Sequence, residues 1–195
     1  MDHRIEEMEE YAALHHVPIM EHDGINFLLE YIKEHHIQRI LEIGTAIGYS
    51  AIRMCLVDPN ITVTTIERDR ERYEEAIRNI QKFGLENRIT VLFQDAFDVE
   101  LNDTFDLIFI DAAKSQYIKF FEKFEKNLSQ NGVIVSDNLN FHGLVHTDEM
   151  TLSRNVRGMV RKLNQYIAFL KNNPYYETTI YDIGDGVGLS VRKKI

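Results

Sequence analysis

Asp111, Asp137 and Asn138 stand at the ends of two short apolar runs and offer three oxygen donors. Hard oxygen donors that leave coordination positions open suit Mg²⁺ or another divalent cation. No His or Cys shares these positions, which disfavours zinc. A cation held there would lower the pKa of a bound hydroxyl and fix its direction, turning a poor nucleophile into a good one. Lys114, three residues after Asp111, is placed to take the hydroxyl proton or to stabilise the oxyanion. The bland alternative is a surface lysine at a helix start, where positive charge is mildly unfavourable.

A second group of residues can hold a nucleoside. Residues 42–50 read Glu-Ile-Gly-Thr-Ala-Ile-Gly-Tyr-Ser. Gly44 and Gly48 let the backbone pass close to a ligand and open the next helix. Their spacing is not the G-x-G-x-x-G that seats a pyrophosphate, which weakens a nicotinamide or flavin reading. Glu67, 23 residues after Gly44, is placed to accept both hydroxyls of a ribose. Asp95-Ala96 can read an adenine, carboxylate to amino group and backbone amide to ring nitrogen. A nucleoside without a pyrophosphate fits S-adenosylmethionine.

Positioning these groups takes a sheet. Apolar, β-branched runs at 39–43, 61–66, 89–93, 105–110 and 132–136 predict strands buried on both faces, hence a parallel sheet between helices. Helical periodicity covers 23–35, 70–83, 116–128 and 153–171. Residues 176–183 and 187–193 predict two more strands around Gly184-Asp185-Gly186, and a hairpin must set one of them antiparallel. The expected fold is α/β: one doubly wound domain over 1–195 with a mostly parallel seven-stranded sheet and an antiparallel edge hairpin. Ligands bind past the carboxyl ends of such strands. Glu42, Glu67, Asp95, Asp111 and Asp137 lie at those ends, facing one crevice. Any one of them can be a plain helix N-cap; five together make that reading poor.

The 195 residues suffice for one domain with a real core. A single cysteine, Cys55, excludes a disulfide framework and a Cys-rich zinc site. No apolar run approaches the ~18 residues of a membrane span. No signal-peptide pattern opens the chain, so the cytoplasm is the expected location. The net charge of -9 argues at first against a polyanionic partner. That charge is uneven, however: residues 1–150 carry -14 and residues 151–195 carry +5.

With these residues in place, the sequence resembles a known family. Glu-Ile-Gly-Thr-Ala-Ile-Gly-Tyr-Ser (42–50), Phe-Ile-Asp-Ala-Ala-Lys (109–114) and Ser-Asp-Asn (136–138) resemble the cation-dependent O-methyltransferases, which include the catechol and caffeoyl-CoA enzymes. The resemblance extends from Val17-Pro18-Ile19-Met20 to the last strand. Three stretches are closer still to the bacterial tRNA 5-hydroxyuridine methyltransferases, which make 5-methoxyuridine at the wobble position. They are His16-Val17-Pro18-Ile19-Met20, Asp111 to Tyr117 and Gly184-Asp185-Gly186.

The resemblance implies a Rossmann-like class I methyltransferase fold that uses S-adenosylmethionine and Mg²⁺. It implies that Ile19 and Met20 lie beside the methionine part of the cofactor. Ser50 would bind its carboxylate, and Glu42 would line the pocket near its amino group. Gly44 belongs to the cofactor loop, Glu67 to the ribose, and Asp95 with Ala96 to the adenine. Asp111 would serve both cofactor and metal, with Asp137 and Asn138 completing the metal set. Lys114 and Asp111 would be the catalytic pair. Family members carry more N-terminal helix than residues 1–36 supply, so the chain is expected to begin partway through that segment. A homodimer is also implied. One departure stands out: Asn140 follows Leu139 where the family commonly has leucine, which alters the expected substrate pocket, and Phe141 keeps the aromatic place.

The substrate implied by the closer branch is 5-hydroxyuridine in a tRNA anticodon loop. Its 5-hydroxyl beside the 4-oxo group can chelate a cation, as a catechol can. The alternative is a small catechol or hydroxycinnamoyl compound. A non-catalytic RNA-binding domain is a third reading, against which the intact Asp111, Asp137, Asn138 and Lys114 argue. Arg154, Arg157, Arg161 and Lys162 can be a solvated helix face or the phosphate contact for RNA. Cys55 reads as core. The pairs His15-His16 and His35-His36 do not read as metal pairs, since adjacent residues do not share a helix face. Tyr117, Phe120, Phe121 and Phe124 read as a core or dimer stripe. His142 and His146 are expected in the loop over the crevice.

Overall fold

Alternate residues of the central strands face opposite helical layers, as the two-residue period of a strand requires. A computed structural model describes residues 2–140, 143 and 153–194. The strands are β1 (Arg39–Ile43), β2 (Thr62–Glu67), β3 (Ile89–Phe93), β4 (Phe105–Ile110), β5 (Leu128–Ser136), β6 (Tyr176–Tyr181) and β7 (Val187–Arg192). Helices α1 (His3–Leu14), α2 (His22–Glu34), α3 (Tyr49–Cys55) and α4 (Arg70–Phe83) precede β3, while α5 (Tyr117–Phe124) and α6 (Arg154–Lys171) follow β4. Ile40, Leu107, Phe109, Val133 and Val135 pack toward α1–α4. Leu41, Ile43, Ile108, Ile110 and Ile134 pack toward α5 and α6. Each fully buried Leu or Ile contributes roughly 1.5–3 kcal/mol by leaving water.

The strand order is β3-β2-β1-β4-β5-β7-β6. All pairings are parallel except β5 with β7 and β6 with β7. The antiparallel strand is therefore β7, one place in from the edge, and the hairpin closes the sheet as expected. The order reverses between β1 and β4, where a doubly wound sheet opens a crevice at the carboxyl ends. Among the described residues no helix is long and apolar enough to cross a membrane.

The clearest boundary differences from the sequence reading fall near residues 128 and 183, with β5 beginning at Leu128 and not at 132. The apolar period suggests helix through residue 128, but α5 stops at Phe124 and a 3₁₀ turn follows at Glu125–Asn127. Leu128 already pairs with Phe105 in the sheet. Tertiary pairing outweighs a helical spacing that Leu128 happens to share. The strand expected to reach residue 183 ends at Tyr181. Cys55 and the Tyr117, Phe120, Phe121 and Phe124 stripe are buried core, as expected.

Candidate active site

Sheet register collects the acids. Ile43 pairs with Ile66 and Ile110, and Ile110 pairs with Ser136. The next residue along each strand is Gly44, Glu67, Asp111 or Asp137, so these four form one row at the mouth of the crevice. Backbone bonds extend the row: Asp111 N donates to Ile43 O at 3.0 Å and Asp137 N to Ile110 O at 3.2 Å. Gly44 has φ +105°, and a Cβ there would lie 2.0 Å from the Asp111 carbonyl oxygen. Glycine is needed at this close approach. Gly44→Ala is expected to destabilise the protein by roughly 3 kcal/mol or more, through clash and left-handed strain together. Thermal denaturation should show Tm falling by roughly 6–12 °C, at about 2–4 °C per kcal/mol for this chain length. An unchanged Tm would mean that the loop does not rest on Asp111.

The row opens into a cavity of about 460 Å³. That is within the usual range for a cofactor site. Ile19, Gly44, Glu67, Asp95, Ala96, Asp111, Lys114 and Asn138 all line it. Met20 and Ser50 line a small adjoining recess, together with Ile19, Gly44 and Asp111. Glu42 and Asp137 line neither. Of the five acids read as facing the crevice, three reach its wall.

Glu42 sits beneath the floor, fully buried. Its carboxyl accepts hydrogen bonds from Ser50 Oγ and, at 2.5 Å, from Thr65 Oγ1. Burial, opposed by these hydroxyls, pushes the Glu42 carboxyl up to about 8. Ser50, expected to meet a cofactor carboxylate, turns toward Glu42 here. Glu67 accepts three backbone N–H bonds, from Ala46 at 2.9 Å, Arg68 at 2.9 Å and Asp69 at 2.8 Å. This ties the glycine loop to the end of β2 and fixes the carboxylate at the cavity wall. Asp95 accepts from Phe97 N at 2.9 Å and from Arg68 Nη1 at 3.1 Å. The Phe97 amide, and then the Arg68 guanidinium, hold its carboxyl below the usual range.

The metal-type donors meet at the other side. Burial pushes the Asp111 carboxyl up to about 6, with Lys114 opposing. Asp137 is 2% exposed; burial, and then the Asp111 charge, raise it well above an ordinary carboxyl. Asn138 adopts φ +62°. Its Nδ2 donates to Asp137 Oδ2 at 2.7 Å, and its Oδ1 accepts from Lys114 Nζ at 2.9 Å. Two carboxyls with raised pKa values, Asp137 buried and Asp111 half-buried at the cavity wall, with the Asn138 amide beside them, form a set that a hard cation would neutralise. Among the described residues no group of three His, Cys, Asp or Glu is arranged to hold a metal.

Several residues escaped the sequence reading. Arg68, Arg72 and Phe97 also line the cavity, as do Gln116, from the stretch that carries the family resemblance, and Phe120 of the aromatic stripe. Asp185 is 5% exposed, and its charge contributes to raising Asp137. The Gly184-Asp185-Gly186 turn carries the loop after β5: Leu139 N donates to Gly186 O at 2.9 Å and Asn140 N to Asp185 O at 2.7 Å. Asn140, expected to reshape the substrate pocket, donates instead to Asp182 Oδ1 at 3.1 Å and does not line the cavity. Phe141, His142 and His146 lie outside the described residues.

A family model described as O-methyltransferase matches residues 2–194. A caffeoyl-CoA O-methyltransferase of Populus kitakamiensis is 32% identical over 196 residues, covering 94% of this chain and 82% of that protein. Among solved structures, a Staphylococcus aureus protein provisionally described as a caffeoyl-CoA O-methyltransferase superposes with a TM-score of 0.92. It is 36% identical, over 97% of this chain and 92% of its own. An O-methyltransferase of Bacillus cereus, solved in complex with S-adenosylhomocysteine, superposes with a TM-score of 0.83. It is 27% identical, over 99% of this chain and 92% of its own.

Proposed function

The chain belongs to the O-methyltransferase family, and from that premise we propose that it methylates the 5-hydroxyl of 5-hydroxyuridine in tRNA, giving 5-methoxyuridine. The enzyme class and its S-adenosylmethionine cofactor follow from the family and from the cofactor-bound relative. The substrate and the divalent cation are the proposal.

One observation carries the choice of tRNA. Helix α6 packs against the 3₁₀ turn Lys114–Gln116, whose residues line the cavity. On α6, Arg154, Arg157 and Arg161 follow one helical stripe, with Arg154, Arg161 and Lys162 exposed. A basic stripe on the helix that packs against this turn suits a phosphate backbone approaching the protein. The relatives named as caffeoyl-CoA O-methyltransferases favour the second reading, a small catechol or hydroxycinnamoyl substrate.

The chemistry needs an oxygen nucleophile held in line with the sulfonium methyl. Asp111, Asp137 and Asn138 would hold the divalent cation, which lowers the pKa of a hydroxyl and orients it. Lys114, which rests on Asn138, would accept the hydroxyl proton as the neutral amine, a state that a cation held beside it would favour, and pass that proton to solvent. The methyl group then moves from sulfur to oxygen, leaving S-adenosylhomocysteine. Glu67 and Asp95 hold the nucleoside half of the cofactor against this centre, so positioning supplies much of the acceleration.

Nucleoside mass spectrometry of tRNA from cells lacking the protein tests the reading. 5-Methoxyuridine should disappear and 5-hydroxyuridine accumulate, and the purified enzyme should convert that tRNA in vitro. Turnover on tRNA should weaken steeply with salt, while turnover on a catechol should not. No methylation of the hydroxyuridine-containing tRNA, alongside efficient methylation of a catechol, would establish the second reading.

A further inference from the structure

The parallel ladder of β4 with β5 ends on the bond from Asp137 N to Ile110 O. In a parallel pair each residue bonds the two residues that flank its partner. The next rung would therefore run from the Ala112 N–H to the Asp137 carbonyl. A tyrosine hydroxyl stands in its place. Tyr117 Oη donates to the Asp137 carbonyl oxygen at 3.2 Å, and the Ala112 backbone N–H bonds the same hydroxyl oxygen. The Tyr117 side chain is buried and packs edge-on to Tyr166, with ring centroids 5.2 Å apart and planes at 83°. Tyr166 Oη in turn lies 2.6 Å from Ser136 Oγ. A ring packed this closely holds its hydroxyl in one place.

The two backbone groups that this hydroxyl joins belong to Asp137 and to the neighbour of Asp111. A hydroxyl inserted between an N–H and a carbonyl holds them further apart than a direct bond would. The chain ends that carry the two carboxyls are thereby kept at a fixed separation. Mg²⁺ demands near-ideal octahedral geometry, with ligands at about 2.0–2.1 Å, whereas Ca²⁺ accepts longer and less regular bonds. A site of fixed span can therefore favour the smaller ion. We propose that Tyr117 is a positioning residue: its hydroxyl fills the missing rung, sets the span between Asp111 and Asp137, and so makes the site select Mg²⁺ over Ca²⁺. Groups behind a metal's ligands commonly tune it in this way. The inference rests on the metal set proposed above, but not on the methyl acceptor, so it stands whichever substrate is correct.

Calorimetric titration of the wild type and of Tyr117→Phe with Mg²⁺, Ca²⁺ and S-adenosylhomocysteine tests it without turnover. Phenylalanine keeps the ring and removes only the hydroxyl. Mg²⁺ should bind the variant about tenfold more weakly, the lower end of the usual cost of losing a group behind a metal ligand. Ca²⁺ and S-adenosylhomocysteine should bind as they do to the wild type, so the preference for Mg²⁺ falls by the same factor. Tyr166→Phe is the control: it removes an equally buried hydroxyl that fills no rung, and it should keep the preference. A merely structural Tyr117 would lower Tm and leave the preference unchanged. Hydrogen exchange at the Ala112 amide of the wild type serves if Tyr117→Phe does not fold. Strong protection there supports the rung, and exchange at the rate of an open amide overturns it. A preference unchanged in Tyr117→Phe, or lowered equally in Tyr166→Phe, overturns the assignment while the metal set stands. A wild-type protein that binds neither ion overturns the metal set and this inference together.

Discussion

Asp137→Ala is expected to lower metal-stimulated turnover by about a thousandfold, the several kcal/mol of charge stabilisation that a divalent cation supplies. Cofactor affinity should change little. The side chain is 2% exposed and lines neither the cavity nor its recess, so the nucleoside half of the site is not disturbed. Its partners are Asn138 Nδ2 and the charge of Asp111. Removing it therefore dissolves the two-carboxylate set and leaves the Glu67 and Asp95 anchors in place. Without a cation, stability should hold or rise, because a buried carboxyl crowded by a second acid is a cost that the fold carries for function. Three measurements separate the alternatives: calorimetry with Mg²⁺, calorimetry with S-adenosylhomocysteine, and Tm. Loss of Mg²⁺ binding with the other two intact supports the assignment. Mg²⁺ affinity equal to wild type removes Asp137 from the metal set.

The parts of this site that the sequence made legible are those that depend on strand ends. β-Branched runs mark β1, β2, β4 and β5, and a parallel register puts the residues after them in one row. Glu67, Asp111 and Asp137 follow from that logic. Glu42 does not, because it precedes the last residue of β1. The two-residue period turns it to the face of Ile40, under the floor, where Ser50 and Thr65 receive it. Counting it as a strand end ignored that period. Other features depend on pairing between distant segments. The Gly184–Gly186 turn carries Leu139 and Asn140 because β7 pairs with β5, and a turn motif read locally says nothing of its passenger. Arg68, Arg72 and Phe97 are not legible for a different reason. Nothing in their types or spacing marks them, and only the packing of the segments after β2 and β3 brings them to the cavity.

Lys114→Ala is expected to reduce turnover by about 10²–10⁴-fold, the usual range for a positioned general base. S-adenosylhomocysteine affinity should be little changed, since the ammonium is held on Asn138 at 2.9 Å, on the side of the metal-type donors. Alanine alone does not distinguish a base from a fixed positive charge, and Lys114→Arg does. Arginine keeps the charge but cannot give up its proton, so it cannot collect one from the substrate. If Lys114 is the base, arginine should be nearly as inactive as alanine, and raising the pH should restore turnover in both by ionising the substrate hydroxyl in solution. If Lys114 only steadies the oxyanion, arginine should recover most of the loss at neutral pH. Near-normal turnover in the alanine variant would leave Lys114 holding Asn138 and nothing more. Proton removal would then fall to the cation and solvent alone, and the Lys114–Asn138 bond would be a positioning contact for the metal set.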